Sequence, residues 1–399
     1  MKKTSILVLF LVVIIISGSI YGYYYFSNQP KSKDSDGDSD DDGYTPLSKP
    51  RVNMYVNSSI YSSIYTDVQK YKQNASNQGF IVNVINWSDT SVKNLKLNIT
   101  YTNYNTSLSG VILIGQLPYA MGRYWDTIWG KAFDFPTDIY LMDLDGNWTD
   151  IDGDSVYNID PVIGLEHTNG TGDWGPEIWL ARIDPYSISD STIHLDSLKD
   201  FFKRTREIRN GTITRPHKAM LYIDDTWSYL DWESHFTAYT AAQRDTYKVN
   251  SLTNAINYMN NLTLNSYELV HLWVHSYTDK HQWGGGSEGY TTFNDISTNN
   301  TVPLFYMMYA CSIYNHTVAD NIATHYLFTG GSTLTVVASA RTGGVDLYKP
   351  FYDALKQGKT FGEGFYTWLQ NPEIETLNKE PLYYGMTILG DPLATIYMT

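Results

Sequence analysis

The chain of 399 residues carries a single cysteine, Cys311. An internal disulfide is therefore excluded, and with it any scaffold stapled by disulfides. Positive charge is also short. Lys and Arg number 28 against 42 Asp and Glu, a formal net charge of −14. That balance argues against a nucleic-acid partner, because covering phosphates needs a basic surface. His275 and His281 lie close in sequence, but no nearby carboxylate pair completes a zinc motif. At this length the chain can bury a sizeable core in one or two domains.

The apolar run that approaches the ~20 residues of a bilayer span lies at the start. Lys2 and Lys3 precede Ile6 to Ile16, and a Tyr-rich stretch continues to Phe26. Residues 1–26 read either as an uncleaved membrane anchor or as a cleaved secretory signal, and no Ala-x-Ala site marks a cut. In both readings the body lies outside the cytoplasm, membrane-anchored or secreted. Residues 27–50 form an acidic linker. Asp34, Asp36, Asp38, Asp40, Asp41 and Asp42 alternate there with Ser and Gly, a self-repelling composition that cannot build a core. Glycosylation sequons begin at Asn57, Asn74, Asn86, Asn98, Asn105, Asn147, Asn169, Asn210, Asn261, Asn299 and Asn315. Together with the leader they agree with an extracellular face.

The body divides at about residue 190. In 51–190, Ile60, Ile64, Val68 and Tyr71 have helical spacing, Phe80 to Trp87 alternates like a strand, Val92 to Tyr104 reads as a helix, and Val111 to Ile114 as a buried strand. This order implies a parallel sheet covered by helices. In 191–399, helices are expected over Leu195–Ile208, Trp232–Tyr247, Leu252–Met259, Val318–Phe328, Phe351–Leu355 and Phe361–Leu369. Strands are expected over Ala219–Ile223, Thr333–Ser339 and Pro392–Tyr397. Within the first part lies the loop Asp143 to Asp154. Asp143, Asp145, Asp150, Asp152 and Asp154 alternate there with turn residues. Such carboxylates can converge on calcium, although no glutamate closes an EF-hand; the alternative is a pair of solvated turns.

The chemistry concentrates in 268–312. One apolar run, Leu269 to Val274, ends on His275. A second, Pro303 to Ala310, ends on Cys311. Short apolar runs of this kind suit strands buried on both faces, and reactive groups of open α/β sheets gather at strand carboxyl ends. A thiol needs a base beside it to act as a nucleophile near neutral pH, and His275 supplies one. His281 is the competing base in the same loop, His271 reads as a core residue in mid-strand, and Asp138, Asp224 and Asp225 are candidate acids for orienting an imidazole. For Cys311 the alternative is a buried, inert side chain.

An apolar strand ending on His, then about thirty-five residues, then one ending on Ala310-Cys311-Ser312, resembles the gingipain-type cysteine peptidases of the caspase-like fold. Gly110 to Gly115, Thr137 to Tyr140, Asp143 to Gly146, Pro176 to Arg182, Asp224-Asp225 and Leu389 to Pro392 extend the resemblance in the same order. It implies an α/β fold of caspase/gingipain type, with two packed α/β subdomains and mostly parallel sheets. It also implies a peptidase using His275 and Cys311 on a protein or peptide substrate, with oxyanion donors from the N–H groups of Cys311 and Ser276. No cofactor is required for that chemistry, and a structural calcium would fall on the Asp143–Asp154 loop. The chain departs from the family's Gly-His-Gly pattern, having Val274-His275-Ser276; a position needing positive φ suits glycine better than serine. The alternative function is a catalytically inert surface glycoprotein that uses the same fold for binding or structure.

Overall fold

In the computed structural model, residues 49–127, 129–160, 162–168, 175–371 and 382–396 are described. The expected leader, 1–26, and linker residues 27–48 lie outside them. Among the described residues no helix is long and apolar enough to cross a membrane.

Ile60, Ile64, Val68 and Tyr71 are buried on one face of α1 (Ser58–Asn77), which begins where the Asn57 side chain accepts the Ser59 N–H. An N-cap of this kind satisfies one of the donors that a helix start leaves without an intrahelical acceptor. The same logic of short apolar strand and covering helix repeats along the chain. Numbering only the central sheet, the strands are β1 (Arg51–Asn57), β2 (Ile81–Trp87), β3 (Leu108–Ile114), β4 (Trp179–Ile183), β5 (Ala219–Ile223), β6 (Arg244–Tyr247), β7 (Leu269–Trp273), β8 (Phe305–Tyr309), β9 (Thr335–Ser339) and β10 (Met386–Gly390). The longer helices between them are α2 (Val92–Thr106), α3 (His194–Arg209), α4 (Ala255–Leu264), α5 (Ile322–Phe328), α6 (Lys349–Lys356) and α7 (Phe361–Leu369).

All ten strands form one sheet, in the order β6-β5-β7-β8-β9-β10-β4-β3-β1-β2. Neighbours are parallel except β9 and β10, so the two halves of the sheet run in opposite senses. Both faces are covered. On β8, Phe305 and Met307 enter the core on one face while Tyr306 and Met308 enter the core on the other, the period-two alternation of a strand. Packing is tight enough to dictate residues: a Cβ on Gly110 would lie 2.1 Å from the Trp179 ring, and one on Gly362 2.7 Å from it. Both glycines exist because the indole occupies the space between β3 and α7.

Two expected elements are corrected. Trp232–Tyr247 is not a helix. It holds short turns at Glu233–His235 and Ala241–Gln243, then edge strand β6. Trp232, Phe236 and Tyr239 mimic helical spacing, but each docks on its own partner, Trp273, Tyr352 and His217 respectively. The last described strand is also not Pro392–Tyr397 but β10. It stops where Gly390 takes φ +105 against the Leu334 carbonyl, and Pro392 has no N–H to extend a ladder. Asp391 then bolts the following turn to Arg209 of α3 (2.6 Å) and Tyr71 of α1 (2.5 Å).

Candidate active site

β7 and β8 pair in parallel with Trp273 opposite Tyr309, and the Val274 N–H continues the ladder to the Tyr309 carbonyl (3.2 Å). His275 and Cys311 each lie two residues beyond that pair. Each thus follows the end of its strand by the same number of residues, and neighbouring strands are ~4.8 Å apart. Trp227, in the turn after β5, lies against both strand ends: its ring centroid is 5.1 Å from that of His275 and 5.6 Å from that of Tyr309.

His275 opens a small antiparallel hairpin, His275–Tyr277 with Lys280–Gln282, extended by Tyr290–Thr292. Ser276 is in that strand and has no positive φ. The non-glycine residues with positive φ among those described are Ser107, Ser155, Ser312 and Asp320. The serine in place of glycine at 276 thus carries no backbone strain here. The left-handed residue is instead Ser312 (φ 56), directly after the thiol, so the chain turns sharply away as soon as Cys311 has been presented.

The Cys311 sulfur accepts the Gly343 N–H at 3.3 Å. Gly343 needs to be glycine: its φ is +83, and a Cβ would meet Leu382 at 2.8 Å. The preceding Arg341 is buried. Its carbonyl accepts the Ser312 N–H (2.8 Å), and its guanidinium lies 3.6 Å over the Tyr124 ring. Burial pushes the thiol above its ordinary range; the Gly343 N–H and Arg341 pull it down, and Asp126 pushes it up, with a net rise. At neutral pH the resting group is a neutral thiol. No hydrogen bond joins it to the imidazole among the described residues: Gly343 serves the sulfur, and the Trp227 face serves His275.

Among the described residues none of the candidate orienting acids is hydrogen-bonded to His275, although the buried Asp225 Oδ1 has no partner. Asp224 accepts the N–H groups of Thr226 (3.0 Å) and Gly284 (2.8 Å), so it anchors two loops that flank His275. Asp225 accepts from Asn250 (3.0 Å). Asp138 pairs with Arg182 (2.7 Å) and accepts from Thr387 (2.7 Å). His271 is a core residue, stacked on Trp273 and bonded to the Tyr352 hydroxyl (2.5 Å). His281 is fully buried with its ring nitrogens at the Ser276 and Tyr326 hydroxyls, and burial holds it down at about 3, which makes it a weak base near neutrality.

The acidic loop resolves into two groups. Asp143 and Asp145 converge with Glu177, while Asp150, Asp152 and Asp154 converge separately. Glu177 was not among the residues expected from alternation, since it lies far along the chain. Burial, Asp143 and Asp145 push its carboxyl up to about 7 despite a bond from the Leu144 N–H. Lys96 reaches the Asp143 carbonyl (2.5 Å) and is held down at about 8 by burial. In the second group the carboxylates mostly cap their own loop, at Gly153, Ser155 and Val156, and Asp154 also pairs with Arg123 (2.7 Å).

No protein-family model matches the chain, and no curated protein does. Solved structures do. A crystal structure of the Arg-specific cysteine proteinase gingipain R matches with a TM-score of 0.60 at 15% identity, over 88% of this chain and 79% of the other. A complex of the Porphyromonas gingivalis RgpB pro- and mature domains matches with a TM-score of 0.58, also at 15% identity, over 86% and 79%. The chain therefore has the caspase/gingipain-like α/β fold with a mostly parallel sheet.

Proposed function

We propose that this chain is an extracytoplasmic cysteine endopeptidase. The observation that supports the reading is the register of β7 and β8, whose last pair, Trp273 and Tyr309, lies two residues before both His275 and Cys311. The likeness in fold to a cysteine proteinase supports it. Because the resting thiol is neutral, the imidazole removes its proton as the sulfur attacks the peptide carbonyl. The N–H groups of Ser276 and Cys311 stabilise the oxyanion. The imidazolium then protonates the leaving amine and a thioester remains. Water attacks it with His275 again as base, releasing the carboxylic acid and restoring the thiol. The leader and the sequons support placing this activity outside the cytoplasm.

Incubation of the full chain with a mixed peptide library, read by mass spectrometry, tests the reading. Cleavage that stops when Cys311 is alkylated is expected. A folded protein that cleaves nothing, and whose Cys311 ignores peptide-borne thiol electrophiles, would favour a second reading: an inert surface module. The neutral thiol without an imidazole bond is the observation on its side.

Calcium is proposed at Asp143, Asp145 and Glu177, where a divalent ion would offset the burial, and the smaller repulsion by Asp143 and Asp145, that push Glu177 up. Added calcium is expected to raise the melting temperature, with a stabilisation of about 2.7 kcal/mol at a hundredfold excess over Kd. Glu177→Gln should weaken the effect. A melting temperature indifferent to both calcium and chelator would mean that Lys96, with the His167, Trp148 and Gly146 contacts to Asp143, suffices for the cluster and that Asp150, Asp152 and Asp154 form only a turn.

A further inference from the structure

His281 is the buried titratable group at the site for which the chemistry above has no use. It stands directly opposite Ser276 across the hairpin, so the two side chains share a face of the ribbon. The Ser276 hydroxyl and His281 Nδ1 are 2.8 Å apart. The other ring nitrogen, Nε2, is 3.2 Å from the Tyr326 hydroxyl, which lies 2.9 Å from that of Tyr258. His281, Tyr326 and Tyr258 are all fully buried. A neutral imidazole has one donor and one acceptor, and here each ring nitrogen meets one hydroxyl.

Tyr326 belongs to α5, and α5 touches both halves of the candidate dyad. Its first residue, Ile322, donates its N–H to the Thr278 carbonyl at the tip of the His275 hairpin (2.8 Å). The next, Ala323, donates to the Ile313 carbonyl in the turn that follows Cys311 (3.1 Å). The hairpin is thus tied to α5 at its tip through Thr278 and along its body through His281. Without the second tie it could pivot about the first, and His275 would move relative to the sulfur.

We propose that His281 is a positioning residue: bonded to Ser276 on one side and Tyr326 on the other, it fixes the strand that carries His275 to the helix that also holds the Cys311 turn. The inference rests on the peptidase reading for its consequence but not for its measurement. Small misplacements of reacting groups can cost up to about a hundredfold in rate, and the loss should fall on kcat and leave KM alone.

The test uses the full chain as native, His281→Phe, His281→Gln, Ser276→Ala and His275→Ala. Two rates are read: peptide hydrolysis, and alkylation of Cys311 by iodoacetamide at pH 7. His281→Phe keeps the ring and removes both hydrogen bonds. It is expected to lower kcat about tenfold or more with KM within about twofold, and to slow alkylation towards the His275→Ala rate. His281→Gln, which keeps an acceptor and a donor, is expected to recover part of both. Ser276→Ala cuts one bond at a half-exposed residue, so it reports even if His281→Phe does not fold; it should lower kcat about threefold, and not additively with the His281 change. Native rates in a folded His281→Phe, or in Ser276→Ala should His281→Phe not fold, would overturn the inference and leave the peptidase reading standing. If native protein hydrolyses nothing, the peptidase reading fails. The inference then survives only if alkylation still depends on His275 and that dependence is lost in His281→Phe, and it falls if alkylation never depended on His275.

Discussion

His275→Ala is expected to lower kcat by about a thousandfold, within the 10²–10⁴ range of a lost general base, while Cys311→Ala removes turnover. The size of the effect follows from the state of the thiol. Burial raises its pKa, and the opposing pull of Arg341 and the Gly343 N–H does not undo the rise. The protein therefore holds no ready thiolate, and each turnover needs a base at the moment of attack. The sign of the residual pH dependence follows too. Without His275 the reactive species is whatever thiolate solvent supplies, so His275→Ala should gain about tenfold per pH unit up to the raised thiol pKa. Its deficit against native protein should shrink as pH rises. Rate profiles of the two proteins on one peptide would show this. A His275→Ala protein that keeps the native rate at pH 7 would remove His275 from the chemistry and return Cys311 to the status of a buried side chain.

Asp138→Ala is expected to cost about 3–5 kcal/mol of stability, the penalty of leaving a buried charge without its partner. Arg182 and Asp138 are almost fully buried and lie 2.7 Å apart. Arg182 also reaches the Leu117 and Pro118 carbonyls, and Thr387 donates to Asp138. The pair thus links β4, the segment after β3, and β10, which is the seam between the oppositely running halves of the sheet. Burial by itself would raise the Asp138 carboxyl. Arg182, His316 and Thr387 together more than reverse that, so its pKa is depressed. A depressed carboxylate stabilises the fold fully above its unfolded pKa, about 3.9, and the contribution is lost as pH falls through the lower native value. The native protein should therefore lose this stability only in strong acid, and Asp138→Ala should lack it already at pH 7. The midpoint of chemical denaturation is the readout, with an unchanged m-value. Loss of peptide hydrolysis in an Asp138→Ala protein of native stability would instead put the carboxylate at the chemistry.

Much of the architecture was open to reading along the chain. Helical spacing at Ile60, Ile64, Val68 and Tyr71, and strand-length apolar runs at Ala219–Ile223 and Leu269–Val274, survive folding nearly unchanged, because burying a periodic apolar face is a local requirement. The failures have one origin. In Trp232–Tyr247 the aromatics answer to Trp273, Tyr352 and His217, distant partners that periodicity cannot see. The final strand was misplaced because β10 enters the middle of the sheet, where pairing on both sides decides its bounds. Alternation along one loop suggests a single calcium set, whereas in the fold Asp143 and Asp145 gather with Glu177 from a distant segment, and Asp150, Asp152 and Asp154 gather separately.

By itself, the sequence determined that two buried apolar strands would lead into His275 and Cys311, and that no second thiol could compete. Only the tertiary structure decided that those strands are adjacent and in register, that Ser276 needs no positive φ, that Gly343 rather than the imidazole serves the resting sulfur, and that His281 is buried between the Ser276 and Tyr326 hydroxyls. The division has a physical reason. Hydrophobic periodicity records what each segment must bury, but strand order, register and the partner of each buried polar atom depend on contacts between segments far apart in the chain.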